Sequence, residues 1–284
     1  MVYYLSDHPS VVGFRWGQPG WFGTTWLFLF SSIFLYIVST LILHTLLLLL
    51  FRHRRPLPLG PIPAVHSLGM ILISLFIFSG ILLSVAAEIR DMRGLWRRHY
   101  GTSPVQWLLC FPVGTRTSGR VFFWSYLYYL SRYLHALCTF IALLRCRRIS
   151  LLKLFNNSIL IFMSFLWLEF SQSFQIIAIL LATSFYSVVY GYRFWTAIGL
   201  PAACFPIVVN CRILLLSCNL ICHFAVLLLH YIKGGCNGIG AWVFNSVLNG
   251  AILLLFVCSH VGKWKRRRRS KAVHGDAADK VVNT

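Results

Sequence analysis

One short, otherwise apolar stretch of the chain carries three polar side chains at a spacing that puts them on one face of a helix. In SLLKLFNNSIL, residues 150–160, Lys153, Asn156 and Asn157 fall at i, i+3 and i+4. An ammonium and two carboxamides can hold an anion or donate hydrogen bonds to a carbonyl oxygen, but a carboxamide cannot transfer a proton. Lys153 becomes a nucleophile only where burial makes it neutral, and it otherwise remains a cation that can extend to a membrane surface.

Further polar residues between positions 124 and 220 extend this pattern. Arg132 and His135 stand at i and i+3 of one apolar run, and Cys138 follows one helical turn later. The other polar residues of these runs include Gln172, Tyr186, Tyr190, Tyr192 and Arg212. An arginine at mid-membrane costs about 2.5–3.5 kcal/mol, so these side chains should face one another or a wet chamber. A chamber of cations, amides and phenols suits an anionic ligand with an apolar tail.

The composition is that of an all-α, polytopic membrane protein. The chain is 58% hydrophobic and 11% charged, with a mean hydropathy of +0.74. Seven runs are long enough to cross a hydrocarbon layer of about 30 Å as helices. They lie near 24–50, 64–87, 121–144, 151–168, 173–194, 204–230 and 239–261. We predict an amino-terminal segment over 1–23, a seven-helix membrane domain enclosing a polar chamber over 24–261, and a basic tail over 262–284.

The basic residues predict the orientation, because cytosolic loops retain positive charge. Arginines follow the first and third runs, the latter being Arg145, Arg147 and Arg148, and KWKRRRRSK (263–271) follows the seventh. We place that side, with the carboxyl tail, in the cytosol and residues 1–23 on the opposite side. The loop 88–120 disagrees, because it carries six arginines on the non-cytosolic side. The tail is predicted to contact anionic lipid headgroups and not nucleic acid.

Several other chemistries lack the residues that they require. The chain has six acidic residues, none central in an apolar run, which argues against paired-carboxylate hydrolysis and di-iron sites. It has no glycine-rich phosphate loop and no GxSxG elbow. Its nine cysteines show neither CxxC pairs nor the regular spacing of a disulfide scaffold, and we predict no metal site. The proline-bounded stretch 104–114 is too short to cross a membrane and should lie at its surface or re-enter it.

The stretch KLFNNSILIFMSFLWLEFSQSFQIIAILLATSFY, followed by YGYRFW, resembles the core of the ELO fatty-acid elongases. The resemblance extends from about Phe122 to Val261. The residues that register with the family without a gap are Met163, Leu166, Trp167, Leu168, Gln172, Ser173, Tyr190, Gly191 and Tyr192. The resemblance implies a seven-helix protein of the endoplasmic reticulum membrane that condenses acyl-CoA with malonyl-CoA to 3-ketoacyl-CoA. It also implies no bound cofactor and places the protein beside the other fatty-acid elongation enzymes.

The same resemblance implies that the family's catalytic histidines are replaced here. The HxxHH box falls on residues 153–157, so Lys153, Asn156 and Asn157 stand where the family has histidine, and a further family histidine falls on Tyr186. The upstream family pattern of serine, lysine, two acids and threonine corresponds to Ser131, Arg132, His135, Cys138 and Thr139, so the cation and the threonine are kept and both acids are lost. Family catalysis depends on imidazoles, which titrate near neutrality and can act as nucleophiles, and a carboxamide does neither.

Two classes of function therefore stay open. One is a very-long-chain 3-ketoacyl-CoA synthase that works through altered residues, in which His135, Cys138 and one of the two asparagines could form a substitute site. The other is a non-catalytic elongase-like subunit that binds acyl-CoA or lipid. In both, the predicted chamber residues are Arg132, Gln172, Tyr190, Tyr192 and Arg212. The predicted cationic mouth for the phosphates of coenzyme A consists of Lys153, Arg145, Arg147 and Arg148.

Overall fold

The computed structural model of the chain describes residues 2–50, 59–95, 103–145, 151–200, 205–251, 253–254 and 258. Within these ranges the regular secondary structure is helical, with one isolated β-bridge and no strand. The helices are α1 (Val2–Ser6), α2 (Pro9–Val12), α3 (Trp26–Leu50), α4 (Ile62–Leu95), α5 (Pro104–Leu109), α6 (Arg120–Leu144), α7 (Leu151–Glu169), α8 (Gln175–Ala197) and α9 (Phe205–Lys233). Helical backbone also occurs over 239–251. The predicted all-α class is confirmed.

Five of these helices are long and apolar enough to cross a membrane. They are Trp26–Leu49, Ile62–Asp91, Arg120–Leu144, Gln175–Ala197 and Ile207–Ile232. A helix satisfies its backbone amides internally, which a segment in lipid requires, so the chain is a polytopic membrane protein. Helix α7 coincides with the fourth predicted run, and the seventh run, 239–261, extends beyond the described residues. The count of seven spans therefore stays a prediction.

The central helix of the bundle is α6, which contacts α3, α4, α7 and α8. Its buried face carries large aromatic side chains, among them Trp124 and Tyr129, each no more than 1% exposed. A Cβ atom at Gly80 of α4 would overlap the Trp124 ring, so only glycine lets the indole lie against α4. The Trp124 indole also donates to the carbonyl of Leu5 at 2.9 Å, which holds the amino-terminal segment to the bundle.

Three loops at one end of the bundle are joined by a disulfide and an asparagine. We call the loops 110–119, 170–174 and 234–238 the clasp. Cys110 and Cys236 form the disulfide across 126 residues of sequence, which cysteine spacing did not indicate. The Asn237 side chain donates to the carbonyl of Phe170 at 3.2 Å and accepts from the backbone N–H of Gly114 at 3.1 Å. Helix α5 leads directly into the clasp and, at six residues, is too short to span a membrane, as its sequence predicted.

The acidic residues of the described chain are concentrated at this same clasp end. Arg120, the first residue of α6, lies 2.7 Å from Asp91, 3.1 Å from Asp7 and 3.7 Å from Glu88. Glu169, the last residue of α7, accepts hydrogen bonds from two tryptophan indoles at 2.8 and 3.1 Å. Arg120 and these carboxylates therefore form a local group of opposite charges at the clasp end.

Candidate functional site

A buried arginine held between two tyrosines lies at the middle of α6. Arg132 is 3% exposed, and its guanidinium carbon lies 4.1 Å from the ring centroid of Tyr128 and 4.5 Å from that of Tyr186. The negative faces of these rings attract the cation. The Arg132 Nε atom is buried without a hydrogen-bond partner, and within the described ranges Arg132 makes no salt bridge. The guanidinium therefore retains the capacity to attract a negatively charged group.

One turn along α6, a buried histidine contacts two tyrosines of α8. His135 Nδ1 lies 2.7 Å from the hydroxyl of Tyr190, and the His135 ring centroid lies 4.3 Å from that of Tyr186. When the hydroxyl donates to Nδ1, the proton of the neutral ring is on Nε2. His135 Nε2 is buried and has no partner in the described part of the chain. We call Arg132, His135, Tyr186 and Tyr190, which the sequence placed in one chamber, the polar chamber.

The next turn of α6 brings a thiol against a second arginine. Arg193 of α8 donates from its terminal nitrogen to Cys138 Sγ at 2.9 Å, and its guanidinium carbon lies 5.0 Å from the Tyr190 ring centroid. Tyr186, Tyr190 and Arg193 stand at i, i+4 and i+7 of α8, so one face of that helix supplies all three. Cys138 therefore lies beside the polar chamber and next to a fixed cation.

Beyond Cys138, a cavity of about 280 Å³ lies between the ends of α4, α6, α7 and α8, and we call it the mouth. Its lining includes Cys138, Arg145, Lys153, Arg193 and His66. Lys153 and Arg145, which the sequence assigned to a cationic mouth, thus line one cavity, and Arg147 and Arg148 lie outside the described residues. The mouth is at the opposite end of the bundle from the clasp, because α6 and α8 end there and α4 and α7 begin there.

The two asparagines of the box region occupy different surroundings. Asn157 donates one amide hydrogen to Thr139 Oγ1 at 3.0 Å and the other to the Tyr36 hydroxyl at 3.2 Å, and Tyr36 itself donates to Thr139 at 2.9 Å. Both Asn157 amide hydrogens are therefore used between α3, α6 and α7, and neither is directed to His135 or Cys138. Asn156 is partly buried, and its side chain forms no hydrogen bond with another described residue.

The remaining predicted binding residues do not join the polar chamber as a group. Gln172 is 1% exposed and belongs to the clasp, at the far end of α7 from Lys153. Tyr192 is two residues past Tyr190, which turns it about 200° around α8. Arg212 belongs to α9, and its side chain lies outside the described part. The structure thus gathers Arg132, Tyr186 and Tyr190, while Gln172 lies among the clasp loops.

Charge is segregated along the bundle. The four acidic residues of the described ranges lie at or near the clasp, where they pair with Arg120 or Arg90, or accept tryptophan hydrogen bonds. The polar chamber and the mouth carry arginines and a lysine, and neither Arg132 nor Arg193 forms a salt bridge within the described residues. An anion entering at the mouth therefore meets positive side chains and no acidic side chain among the described residues that line it.

Two residues of the site were not identified from the sequence. Arg193 could have been found, because it continues the face set by Tyr186 and Tyr190. His66 had no such signal, since it is an isolated histidine near the start of α4. Its Nε2 lies 3.2 Å from the carbonyl oxygen of Leu134. A carbonyl only accepts, so Nε2 carries the proton and Nδ1 of the neutral ring is the basic nitrogen.

The chain is similar in sequence to known proteins over most of its length. The model of the ELO family, described as the GNS1/SUR4 family, matches residues 21–272. A protein of Arabidopsis thaliana described as fatty acid elongase 3-like is 59% identical over 270 residues, covering 95% of this chain and 93% of the relative. Fatty acid elongase sre1 of Dictyostelium discoideum is 22% identical over 167 residues, covering 59% of this chain and 57% of the relative. The family match extends from α3 through α9 and so includes every helix of the site. The resemblance noted in the sequence is confirmed, and the chain belongs to the ELO family.

Proposed function

We propose that this protein is a very-long-chain 3-ketoacyl-CoA synthase of the endoplasmic reticulum membrane, which condenses an acyl-CoA with malonyl-CoA. The observation that carries the proposal is the mouth, where three cationic side chains and a thiol line one cavity at the end of the bundle away from the acids. Coenzyme A brings phosphate groups and a thioester, and these are the groups that such a cavity can hold. The family membership supports the same assignment.

The mouth binds the coenzyme A part of the substrate, and the polar chamber contacts the reacting oxygen. Arg145 and Lys153 bind the phosphates of coenzyme A, since guanidinium and ammonium groups form charge-assisted hydrogen bonds with phosphate oxygens. The thioester lies near Cys138 and Arg193. His135 Nε2 and Arg132, which retain unused buried N–H groups, stabilise the negative oxygen of an enolate or a tetrahedral intermediate. Malonyl-CoA and acyl-CoA enter as substrates, and no bound cofactor takes part.

The orientation that we propose puts the mouth and the carboxyl tail in the cytosol. Arg145 and Lys153 lie at the mouth end of the bundle, and positive side chains are typical of a cytosolic surface. The Cys110–Cys236 disulfide lies at the other end. Disulfides form and persist in an oxidising compartment such as the lumen of the endoplasmic reticulum, which supports a luminal clasp. The proposed partners are the other enzymes of fatty-acid elongation in the same membrane.

A second candidate function is a non-catalytic elongase-like subunit that binds acyl-CoA or lipid. The observation in its favour is Asn157, whose two amide hydrogens are bound to Tyr36 and Thr139. A side chain that stands at a family histidine position is here part of the helix packing. In this alternative the mouth binds the same ligand, but condensation belongs to a partner.

A malonyl-CoA incorporation assay on the purified protein distinguishes the two functions. Radiolabelled malonyl-CoA is supplied with saturated acyl-CoAs of increasing length, and acyl-CoA binding is measured in parallel. We expect incorporation into 3-ketoacyl-CoA. Incorporation that is absent while acyl-CoA binding persists would favour the non-catalytic subunit, and loss of both would contradict both functions.

Charge-removing variants test the role of the mouth in the same assay. Replacing Arg145 and Lys153 by methionine removes two charge-assisted contacts worth about 1.5–3 kcal/mol each. We therefore expect the acyl-CoA KM to rise at least tenfold for each substitution. Arg116→Met is the matched control, because Arg116 is exposed at the clasp end and its loss changes the net charge equally. An equal rise in KM for Arg116→Met would contradict the assignment of the mouth as the coenzyme A site.

A further inference from the structure

Cys138 differs from the other described free cysteines in its surroundings. It lines the mouth and its sulfur lies 2.9 Å from the Arg193 guanidinium, whereas Cys211, Cys218 and Cys222 are spaced along α9. Within the described chain none of those three has a cation within hydrogen-bond distance. A fixed guanidinium is a charge partner for a thiolate, the form in which cysteine is nucleophilic.

A basic nitrogen borders the same cavity. His66 lines the mouth together with Cys138, and its Nε2 proton is directed to the Leu134 carbonyl. The lone pair on His66 Nδ1 is therefore available in the neutral ring. The His66 ring also lies against Tyr190, at 5.9 Å between centroids, so its position is fixed from α8 as well as from α6.

A hydrogen-bond donor for an oxyanion stands one helical turn from the thiol. His135 precedes Cys138 by three residues on α6, so the two side chains project from the same face. His135 is 9% exposed, and its Nε2 atom has no partner in the described structure. A nucleophile, a base and a charge partner thus line the mouth, and a buried donor lies one helical turn from the nucleophile on α6.

We propose that Cys138 is the acyl acceptor of this protein and forms a thioester with the acyl group of acyl-CoA. The inference rests on the proposed function. His66 Nδ1 takes the thiol proton, and Cys138 Sγ bonds to the thioester carbonyl carbon. The bond from that carbon to the sulfur of coenzyme A then breaks, and the departing thiolate takes the proton back from His66 and leaves as free coenzyme A.

The second half of the reaction returns the thiol. Malonyl-CoA loses carbon dioxide, and the electron pair of the broken carbon–carbon bond becomes the enolate, whose oxygen accepts a hydrogen bond from His135. The enolate carbon attacks the acyl-Cys138 carbonyl, a carbon–carbon bond forms and the carbon–sulfur bond breaks. Cys138 leaves as thiolate and takes a proton from solvent. The products are 3-ketoacyl-CoA, carbon dioxide and coenzyme A, so no oxidant or reductant is required.

The acyl-enzyme is tested directly by labelling. The purified full chain is incubated with an acyl-CoA radiolabelled at its carbonyl carbon, without malonyl-CoA, and the protein-bound label is challenged with hydroxylamine and mapped to a peptide. We expect a hydroxylamine-labile label on Cys138 that passes into 3-ketoacyl-CoA when malonyl-CoA is added. We expect Cys138→Ala to lose this label and at least 99% of condensation, a hundredfold loss equivalent to about 2.7 kcal/mol. Cys218→Ala, on α9, should keep both.

Further measurements separate a chemical role from a structural one. Acyl-CoA binding by Cys138→Ala should remain, which excludes misfolding as the cause of lost activity. Arg193→Met should slow alkylation of Cys138 by N-ethylmaleimide about tenfold, as loss of a charge partner of about 1.4 kcal/mol predicts, and Arg193→Lys should restore part of the rate. If Cys138 carries a hydroxylamine-labile label but no 3-ketoacyl product forms, the acceptor role is supported and the proposed condensation is contradicted. Condensation that continues in Cys138→Ala, or label on Lys153, would overturn the inference.

Discussion

Replacing Asn157 by alanine should destabilise the protein, whereas the same change at its neighbour Asn156 should not. Asn157 joins α7 to α3 and α6 through the hydroxyls of Tyr36 and Thr139, at 3.2 and 3.0 Å. The Asn156 side chain makes no hydrogen bond with another described residue. Both residues belong to α7 and both changes are asparagine to alanine, so the gain in helix propensity is the same in each. The difference between the two variants therefore isolates the tertiary hydrogen bonds.

The size of the effect follows from what remains after the substitution. Thr139, 2% exposed, still accepts from Tyr36 at 2.9 Å, so Asn157→Ala does not leave the Tyr36 hydroxyl without an acceptor. The loss is then close to that of two hydrogen bonds between membrane helices, which average about 0.6 kcal/mol and reach about 1.7 kcal/mol each. We expect Asn157→Ala to lower the free energy of unfolding by about 1–3 kcal/mol relative to Asn156→Ala. At roughly 2–4 °C per kcal/mol, the two Tm values should differ by roughly 2–10 °C.

The assay is thermal unfolding of the purified protein in detergent, read by the fraction that remains monodisperse after heating. Tyr36→Phe completes a double-mutant cycle, because it removes one partner of Asn157 without changing the ring. The two substitutions should be less than additive, since they remove a shared contact. Equal Tm values for the two alanine variants, or a larger loss at Asn156, would refute the assignment of Asn157 to helix packing.

Three further predictions concern the stability of the bundle, each measured by the same thermal assay. Replacing Cys110 and Cys236 by serine should lower the free energy of unfolding by about 2–4 kcal/mol, because the disulfide closes a long loop. A reducing agent should lower the Tm of the unmodified protein and leave the Tm of the serine variant unchanged. Gly80→Ala should cost about 1–3 kcal/mol through overpacking, whereas Gly69→Ala on the same helix, with no atom within 4 Å of its added Cβ, should be neutral or stabilising. Arg120→Met should cost about 1–3 kcal/mol by leaving its carboxylate partners unpaired, and an unchanged Tm would contradict that pairing.

The repetition of polar residues along one helix predicted part of the site. Arg132 and His135 on α6, and Tyr186 and Tyr190 on α8, were assigned to one chamber from residue type and spacing, and the structure brings them into contact. The same reasoning was less successful at the ends of helices. Gln172 follows α7 and belongs to the clasp, because a residue in a loop has no face that periodicity can assign.

The relation between neighbouring helices was decided only by their packing. The sequence placed Lys153, Asn156 and Asn157 on one face of α7, yet Lys153 lines the mouth while Asn157 contacts α3 and α6. Helical periodicity puts residues within about one turn of each other on one side of a helix. Periodicity does not predict where a neighbouring helix ends and a cavity begins. In this protein that boundary lies between Lys153 and Asn157.

The sequence alone determined that this chain is a helical membrane protein and that it resembles the elongases; it also predicted that cationic residues face inward and that the family's histidines are replaced. These features are local, since they depend on composition, on the length of apolar runs and on motif register. Only the tertiary structure decided that Arg193 lies beside Cys138, that Asn157 bonds to Tyr36, and that Cys110 pairs with Cys236. Those contacts join residues 55, 121 and 126 positions apart, so they depend on how the helices pack and not on any pattern within one of them.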